Sequence, residues 1–123
     1  MNTKQLSELA VNALEEMKGQ DIVCLDVKTL TQVTDFMVIV TGTSTTHLRS
    51  LADELGRQVK AAGQPVLGDE GREQGEWILV DLGAVVVHIL LARTRALYSL
   101  EDLWNFENKP GEISMDMPGK DED

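Results

Sequence analysis

Apolar residues recur at helical spacing over residues 3–17, where Leu6, Leu9, Ala10, Ala13, Leu14 and Met17 make one stripe and Glu8, Glu15 and Glu16 fall mainly on the other side. The pattern predicts an amphipathic helix ending at Gly19. Two runs rich in β-favouring residues follow, DIVCLDVKT over 21–29 and FMVIVT from Phe36 to Thr41, the second closed by Gly42. Ser44 is then a candidate N-cap for a second helix ending at Gly63. Its Leu48, Leu51, Ala52, Leu55 and Val59 form an inward stripe, while Arg49, Asp53, Arg57 and Lys60 face out.

Beyond it, a short extended segment around Pro65 to Leu67 leads into the charged, glycine-rich loop GDEGREQG. Strands are predicted from Glu76 to Leu82 and from Val85 to Leu91, turned at Gly83 and Ala84. Both are near-continuously apolar, as in a sheet covered on both faces. Two short helical pieces come next, ARTRALY and, behind the Ser99-Leu100-Glu101-Asp102 capping box, LEDLWNF. The order of elements predicts an α/β domain over residues 1–106, a mixed β-sheet flanked by helices. In it Phe36–Thr41, the crossover helix and the strand after it form a right-handed parallel unit, and the turn at Gly83 makes an antiparallel hairpin. From Glu107 the chain is proline, glycine and acid without apolar periodicity, so residues 107–123 read as an acidic disordered tail.

At 123 residues the chain is sized for a single core. No apolar run approaches the ~20 residues that span a bilayer, and the N-terminus lacks the apolar centre of a secretory signal, which predicts a cytoplasmic protein. The lone Cys24 excludes an intrachain disulfide, and its apolar setting IVCLDV predicts a buried side chain. Formal charge is −10, of which the tail's six acids and two lysines contribute only −4. That balance argues against direct nucleic-acid binding, where cations neutralise phosphates, and favours a basic partner.

One stretch invites an enzymatic reading. In VTGTSTTHLR, residues 40–49, a glycine and a hydroxyl cluster precede a helix N-terminus, where free N–H groups favour anions. Yet no lysine stands where a P-loop needs one, and a single glycine does not make a dinucleotide loop. A nucleotidyltransferase would add an Asp-x-Asp pair on a nearby strand to hold metal ions, and only Asp121-Glu122-Asp123 in the tail has that spacing. Ser44, His47 and Asp53 lack a nucleophile elbow, and His88 in VVVHILL reads as a core or sheet histidine. The stretch reads as a strand-to-helix joint; an anion site at Gly42–Ser44 in a nucleotide-binding regulator or relic transferase is the alternative. No catalytic residue, cofactor site or metal site is assigned.

The remaining signal lies in the C-terminal half. Trp77 alternates with Ile78, so Ile78, Val80 and Leu82 face one layer and Trp77, Leu79 and Asp81 the other. Trp77 either covers a helix edge in the core or joins Tyr98, Asp81, Glu101 and Asp102 in an aromatic-centred acidic patch suited to a basic partner. Trp104, at helical spacing from Leu100 and Leu103, reads as core.

The series Asp35-Phe36, Val38-Ile39, Thr41-Gly42-Thr43-Ser44, Glu70-Gly71, Gly75-Glu76-Trp77-Ile78-Leu79-Val80-Asp81-Leu82-Gly83, Val87-His88, Arg95 and Tyr98-Ser99-Leu100-Glu101-Asp102-Leu103-Trp104 closely resembles the Iojap-related family, the ribosomal silencing factors RsfS, over about residues 5–105. The resemblance implies a nucleotidyltransferase-like fold without catalytic carboxylates. It implies a non-enzymatic factor that binds ribosomal protein L-fourteen on the large subunit and keeps the small subunit from docking, silencing translation when nutrients are short. It further implies a role of organelle relatives in large-subunit assembly and a homodimer off the ribosome. Carried over, Trp77 and Tyr98 match the partner-facing aromatics, Glu101 lies in the acidic motif, and Asp81, Leu82 and Gly83 match the adjoining hairpin. Met37 and Leu82 stand where an aromatic is common, and Leu90 where phenylalanine is frequent.

Overall fold

The computed structural model describes residues 1–99. Its elements run α1 (Thr3–Glu16), β1 (Gln20–Asp26), β2 (Phe36–Gly42), α2 (Thr45–Ala61), β3 (Gly68–Glu70), β4 (Trp77–Asp81), β5 (Val85–Leu91) and α3 (Ala92–Tyr98). The five strands form one sheet in the order β1-β2-β5-β4-β3. Only the β2–β5 pair is parallel, in register from Phe36↔Val85 to Gly42↔Leu91; the other pairs are antiparallel. This is the mixed α/β sheet expected. No helix among the described residues is long and apolar enough to cross a membrane.

The parallel unit closes differently from the sequence reading. The partner of β2 is β5, not the strand that follows α2, because the Gly83 hairpin folds β5 back between β2 and β4. The physical reason is burial. All seven residues of β5 are buried, whereas β4 ends in a half-exposed Asp81 and β3 is wholly exposed. A central strand needs apolar side chains on both faces, and β5 and β2 supply them over seven and six buried residues, against four in β4.

The two long helices lie on one face. Leu6, Ala10, Ala13 and Leu14 of α1 and Leu48, Leu51, Ala52, Leu55 and Val59 of α2 pack on Val38, Val40, Ile78, Val80, Leu82, Val85, Val87, Ile89 and Leu91. Each fully buried aliphatic side chain there stabilises the fold by about 1.5–3 kcal/mol. The opposite face carries Met37, Ile39, Trp77, Leu79, Val86 and Leu90, with Val27 tucked against it and Leu25, Leu30 and Tyr98 beside it. Residues 27–35 fold over this face: Val27 N–H donates to the Asp35 carbonyl, and Asp35 N–H donates to the Ala84 carbonyl, each at 2.9 Å.

Several boundaries differ from the expected ones for local reasons. Strand β1 stops at Asp26, whose carboxylate accepts from Lys28 N–H at 3.1 Å and turns the chain, so Val27 to Thr29 are not strand. The extended segment after α2 is Gly68–Glu70, three residues later than expected; Leu67 N–H makes the first bond to β4, at the Asp81 carbonyl. Cys24 is exposed rather than buried, because β1 is the outer strand of the sheet. Partial desolvation beside α1 raises its thiol pKa, offset by a hydrogen bond with Ser7 and reinforced by Asp26 and Glu8, so the group stays protonated at neutral pH.

Candidate functional site

The joint at residues 40–49 is filled by its own side chains. Ser44 caps α2 as expected, its Oγ accepting from His47 N–H at 3.1 Å, and the Ser44 carbonyl accepts from Leu48 N–H. His47 Nδ1 accepts from Thr43 N–H at 2.9 Å, which leaves the proton on Nε2 to donate to the Met17 carbonyl at 2.8 Å. The N–H groups of Thr43, His47 and Leu48 are thus already satisfied within the chain. A Cβ at Gly42 would lie 2.5 Å from Leu48 Cδ1, so this glycine serves the approach of α2 to β2.

The opposite face of the sheet brings other expected residues together. Trp77 opens β4 and pairs across from Leu90, and its ring points away from the long helices with Leu79 and Asp81, as the alternation requires. Tyr98, at the end of α3, lies with its ring centroid 5.2 Å from that of Trp77 at an interplanar angle of 48°. Arg95 fixes α3 beneath it, donating through Nη1 to the Asp21 carbonyl at 2.7 Å and to Thr41 Oγ1 at 2.8 Å. Trp77 is only 6% exposed while Tyr98 is half-buried, so Tyr98 is the solvent-facing member of the pair.

Roughly 13 Å along the same face, at ~3.3 Å per residue, Asp81 ends β4. Its Oδ1 accepts from Gly83 N–H at 2.8 Å, fixing a turn in which Gly83 has φ +87°. Beside it lies an open cleft of about 230 Å³ lined by Val33, Leu67, Leu79, Asp81, Gly83 and Val86. Val33 is 51% and Leu67 62% exposed. Leu82 is not part of this surface, being 5% exposed in the helix-side core. Glu101, Asp102, Trp104 and the tail from Glu107 lie outside the described residues.

One residue at the site is given no role by the sequence beyond its place in the Val87-His88 motif. His88, central in β5, has Trp77 Nε1–H donating to its Nδ1 at 3.0 Å. Its ring is 5.8 Å from the indole at 57°. The proton therefore sits on Nε2, which is buried and has no hydrogen-bond partner among the described residues. Burial pushes the His88 pKa down to about 4, so the ring is neutral at physiological pH. An unsatisfied buried donor costs about 1–3 kcal/mol. Isolated in VVVHILL, His88 offers no neighbour to show what its ring would meet; the Trp77 contact is made across the hairpin.

Among the described residues, no group of three or more histidine, cysteine, aspartate or glutamate side chains could hold a metal ion. The family model described as ribosomal silencing factor during starvation, RsfS, matches residues 1–123. The ribosomal silencing factor RsfS of Chromobacterium violaceum is 43% identical over 104 residues, 85% of this chain and 85% of that protein. The crystal structure of a protein from Chromobacterium violaceum superposes with a TM-score of 0.84 at 39% identity, covering 96% of this chain and 98% of that one. In Mus musculus, the mitochondrial assembly of ribosomal large subunit protein 1 is 32% identical over 104 residues, 82% of this chain and 46% of that protein. A family model spanning the whole sequence, relatives that align over most of it, and the shared mixed sheet agree: the chain belongs to the RsfS family of ribosomal silencing factors.

Proposed function

We propose that this protein silences translation by binding ribosomal protein L-fourteen on the large ribosomal subunit and excluding the small subunit by its bulk. The observation that carries the reading is the pairing of Tyr98 with Trp77 on the sheet face away from α1 and α2, with the Asp81 cleft on that same face. Aromatic side chains backed by a rigid sheet make interface anchors, and a carboxylate rim steers a basic partner. The formal charge of −10 supports such a partner. The mouse relative, named for assembly of the ribosomal large subunit, supports the choice of subunit and a part in its biogenesis.

In this reading the factor acts by occupancy in the cytoplasm, without catalysis, and its effect follows from affinity and concentration. Trp77, Tyr98, Asp81 and Gly83 form the docking face, joined by Glu101, and Leu82 holds the hairpin from behind. Residues 1–106 carry the activity and 107–123 form an appended acidic tail. Free protein pairs as a homodimer. Sedimentation with purified, separated ribosomal subunits tests the reading. The protein should migrate with the large subunit alone and reduce the yield of joined ribosomes when the small subunit is added. Migration with the small subunit, or no effect on joining, would overturn it.

A further inference from the structure

The face that carries Trp77 and Tyr98 holds a third ring whose presence the packing does not explain. His88 stands centrally in β5, opposite Leu79 on one side and Ile39 on the other, in a strand otherwise made of valine, isoleucine and leucine. Leucine would fill such a position without a polar atom. The histidine instead leaves Nε2–H buried and, among the described residues, without a partner, which is unfavourable for the core. What it provides in return is specific. Nδ1 accepts the indole N–H of Trp77 at 3.0 Å, and the indole packs against Tyr98 at 5.2 Å. A column of three rings thus runs from the centre of the sheet to the surface, with one directional bond at its base.

Without that bond the indole keeps its apolar packing and loses the contact that selects its tilt. A tryptophan N–H ordinarily finds an acceptor when buried, and the described structure gives this one no other. The tilt of the indole sets the plane on which Tyr98 rests, and Tyr98 is the ring that reaches solvent.

We propose that His88 is a positioning residue for ribosome docking: it accepts the Trp77 indole N–H and thereby sets the orientation in which Tyr98 is presented to the basic partner. The proposal rests on the docking reading above. His88 itself touches no partner; it acts through Trp77.

The test compares His88→Leu, which keeps apolar volume and removes the acceptor, with His88→Asn, whose side-chain oxygen can replace Nδ1. Three quantities are read on the full chain: thermal midpoint, the Trp77 indole N–H resonance identified by its loss in Trp77→Phe, and affinity for purified large subunits. His88→Leu exchanges one buried unpaired N–H for another, so it should keep a thermal midpoint close to wild type, shift the indole resonance towards that of a free N–H, and bind large subunits about tenfold more weakly. His88→Asn should restore both resonance and affinity. A folded His88→Leu that binds as wild type overturns the proposal, and so does an indole resonance that ignores the substitution. If His88→Leu does not fold, His88→Asn decides: wild-type affinity with a displaced indole resonance overturns the proposal. Failure of wild type to bind large subunits sinks the docking reading, a result distinct from an unmoved indole resonance in a protein that does bind.

Discussion

The imidazole of His47 spans two helix ends, accepting from Thr43 N–H and donating to the Met17 carbonyl at 2.8 Å across 30 residues of sequence. It therefore ties the start of α2 to the end of α1, on the side of the joint where a nucleotide-binding protein would hold a phosphate. His47→Ala should destabilise the fold by about 1–2 kcal/mol, the net value of two hydrogen bonds. Urea unfolding measures it. Large-subunit binding should be unchanged, and saturable magnesium-dependent nucleotide binding by wild type would make this joint a ligand site after all.

Glycine-to-alanine substitutions should act with opposite signs at two positions. Gly56, inside α2, has open space where a Cβ would stand, with nothing within 4 Å, so Gly56→Ala should stabilise by about 0.5–1 kcal/mol through helix propensity, raising Tm by roughly 4 °C. At Gly42 the Cβ would meet Leu48 Cδ1 at 2.5 Å and Leu51 Cδ1 at 3.2 Å, and both leucines are fully buried. Gly42→Ala should cost about 1–3 kcal/mol by overpacking. Thermal melts of the two variants settle both signs, and equal shifts would refute the packing account.

The pH dependence of stability should carry the mark of His88. Its folded pKa of about 4 lies below the ordinary 6.5, so as pH falls the unfolded chain takes up the proton first. Stability is therefore fully present above pH 6.5 and falls between 6.5 and about 4, by about 3 kcal/mol in total. Comparing urea unfolding of wild type and His88→Leu at several pH values isolates this contribution from the carboxylates. The stability difference between them should be flat above pH 6.5 and move against wild type below it. A difference independent of pH would mean that the ring is not buried neutral.

Much of this fold is legible in the sequence because period and punctuation agree. The α2 stripe from Leu48 to Val59, the Ser44 cap and the Gly83 turn stand where the pattern places them. The alternation in WILVD separates Ile78 and Val80 from Trp77 and Leu79 as expected. What sequence does not show is the neighbour across space. Burial on both faces ranks β5 as central, but its parallel partner is chosen by the whole sheet. Gly19 reads as a helix stop; the left-handed residue is Lys18, at φ +64°, and Gly19 is needed because a Cβ would lie 2.6 Å from Val40 Cγ2. Cys24 reads as buried from its apolar neighbours, since nothing local distinguishes an edge strand from an inner one. Of the proposed docking face, the sequence singles out Trp77, Tyr98, Asp81 and Gly83, whereas Val33, Leu67 and the Trp77–His88 contact come to it through the 27–35 segment, the β3 approach and the hairpin.

The proposed docking face is best probed at Tyr98. Trp77 is 6% exposed, so Trp77→Ala removes core as well as contact and should cost the fold about 3–5 kcal/mol. Any binding loss in that variant mixes two effects. Tyr98 is half-buried at the end of α3, which Arg95 holds independently through Asp21 and Thr41. Tyr98→Ala should therefore leave most of the stability intact and weaken large-subunit binding by about 2 kcal/mol, roughly thirtyfold. Because the proposed partner is basic and this chain carries −10, wild-type affinity should also fall as salt rises from low to physiological ionic strength. Titration of purified large subunits with wild type and Tyr98→Ala at two salt concentrations reads both effects. A folded Tyr98→Ala with wild-type affinity would move the contact off this face; an affinity indifferent to salt would leave the face in place and remove charge steering from the mechanism.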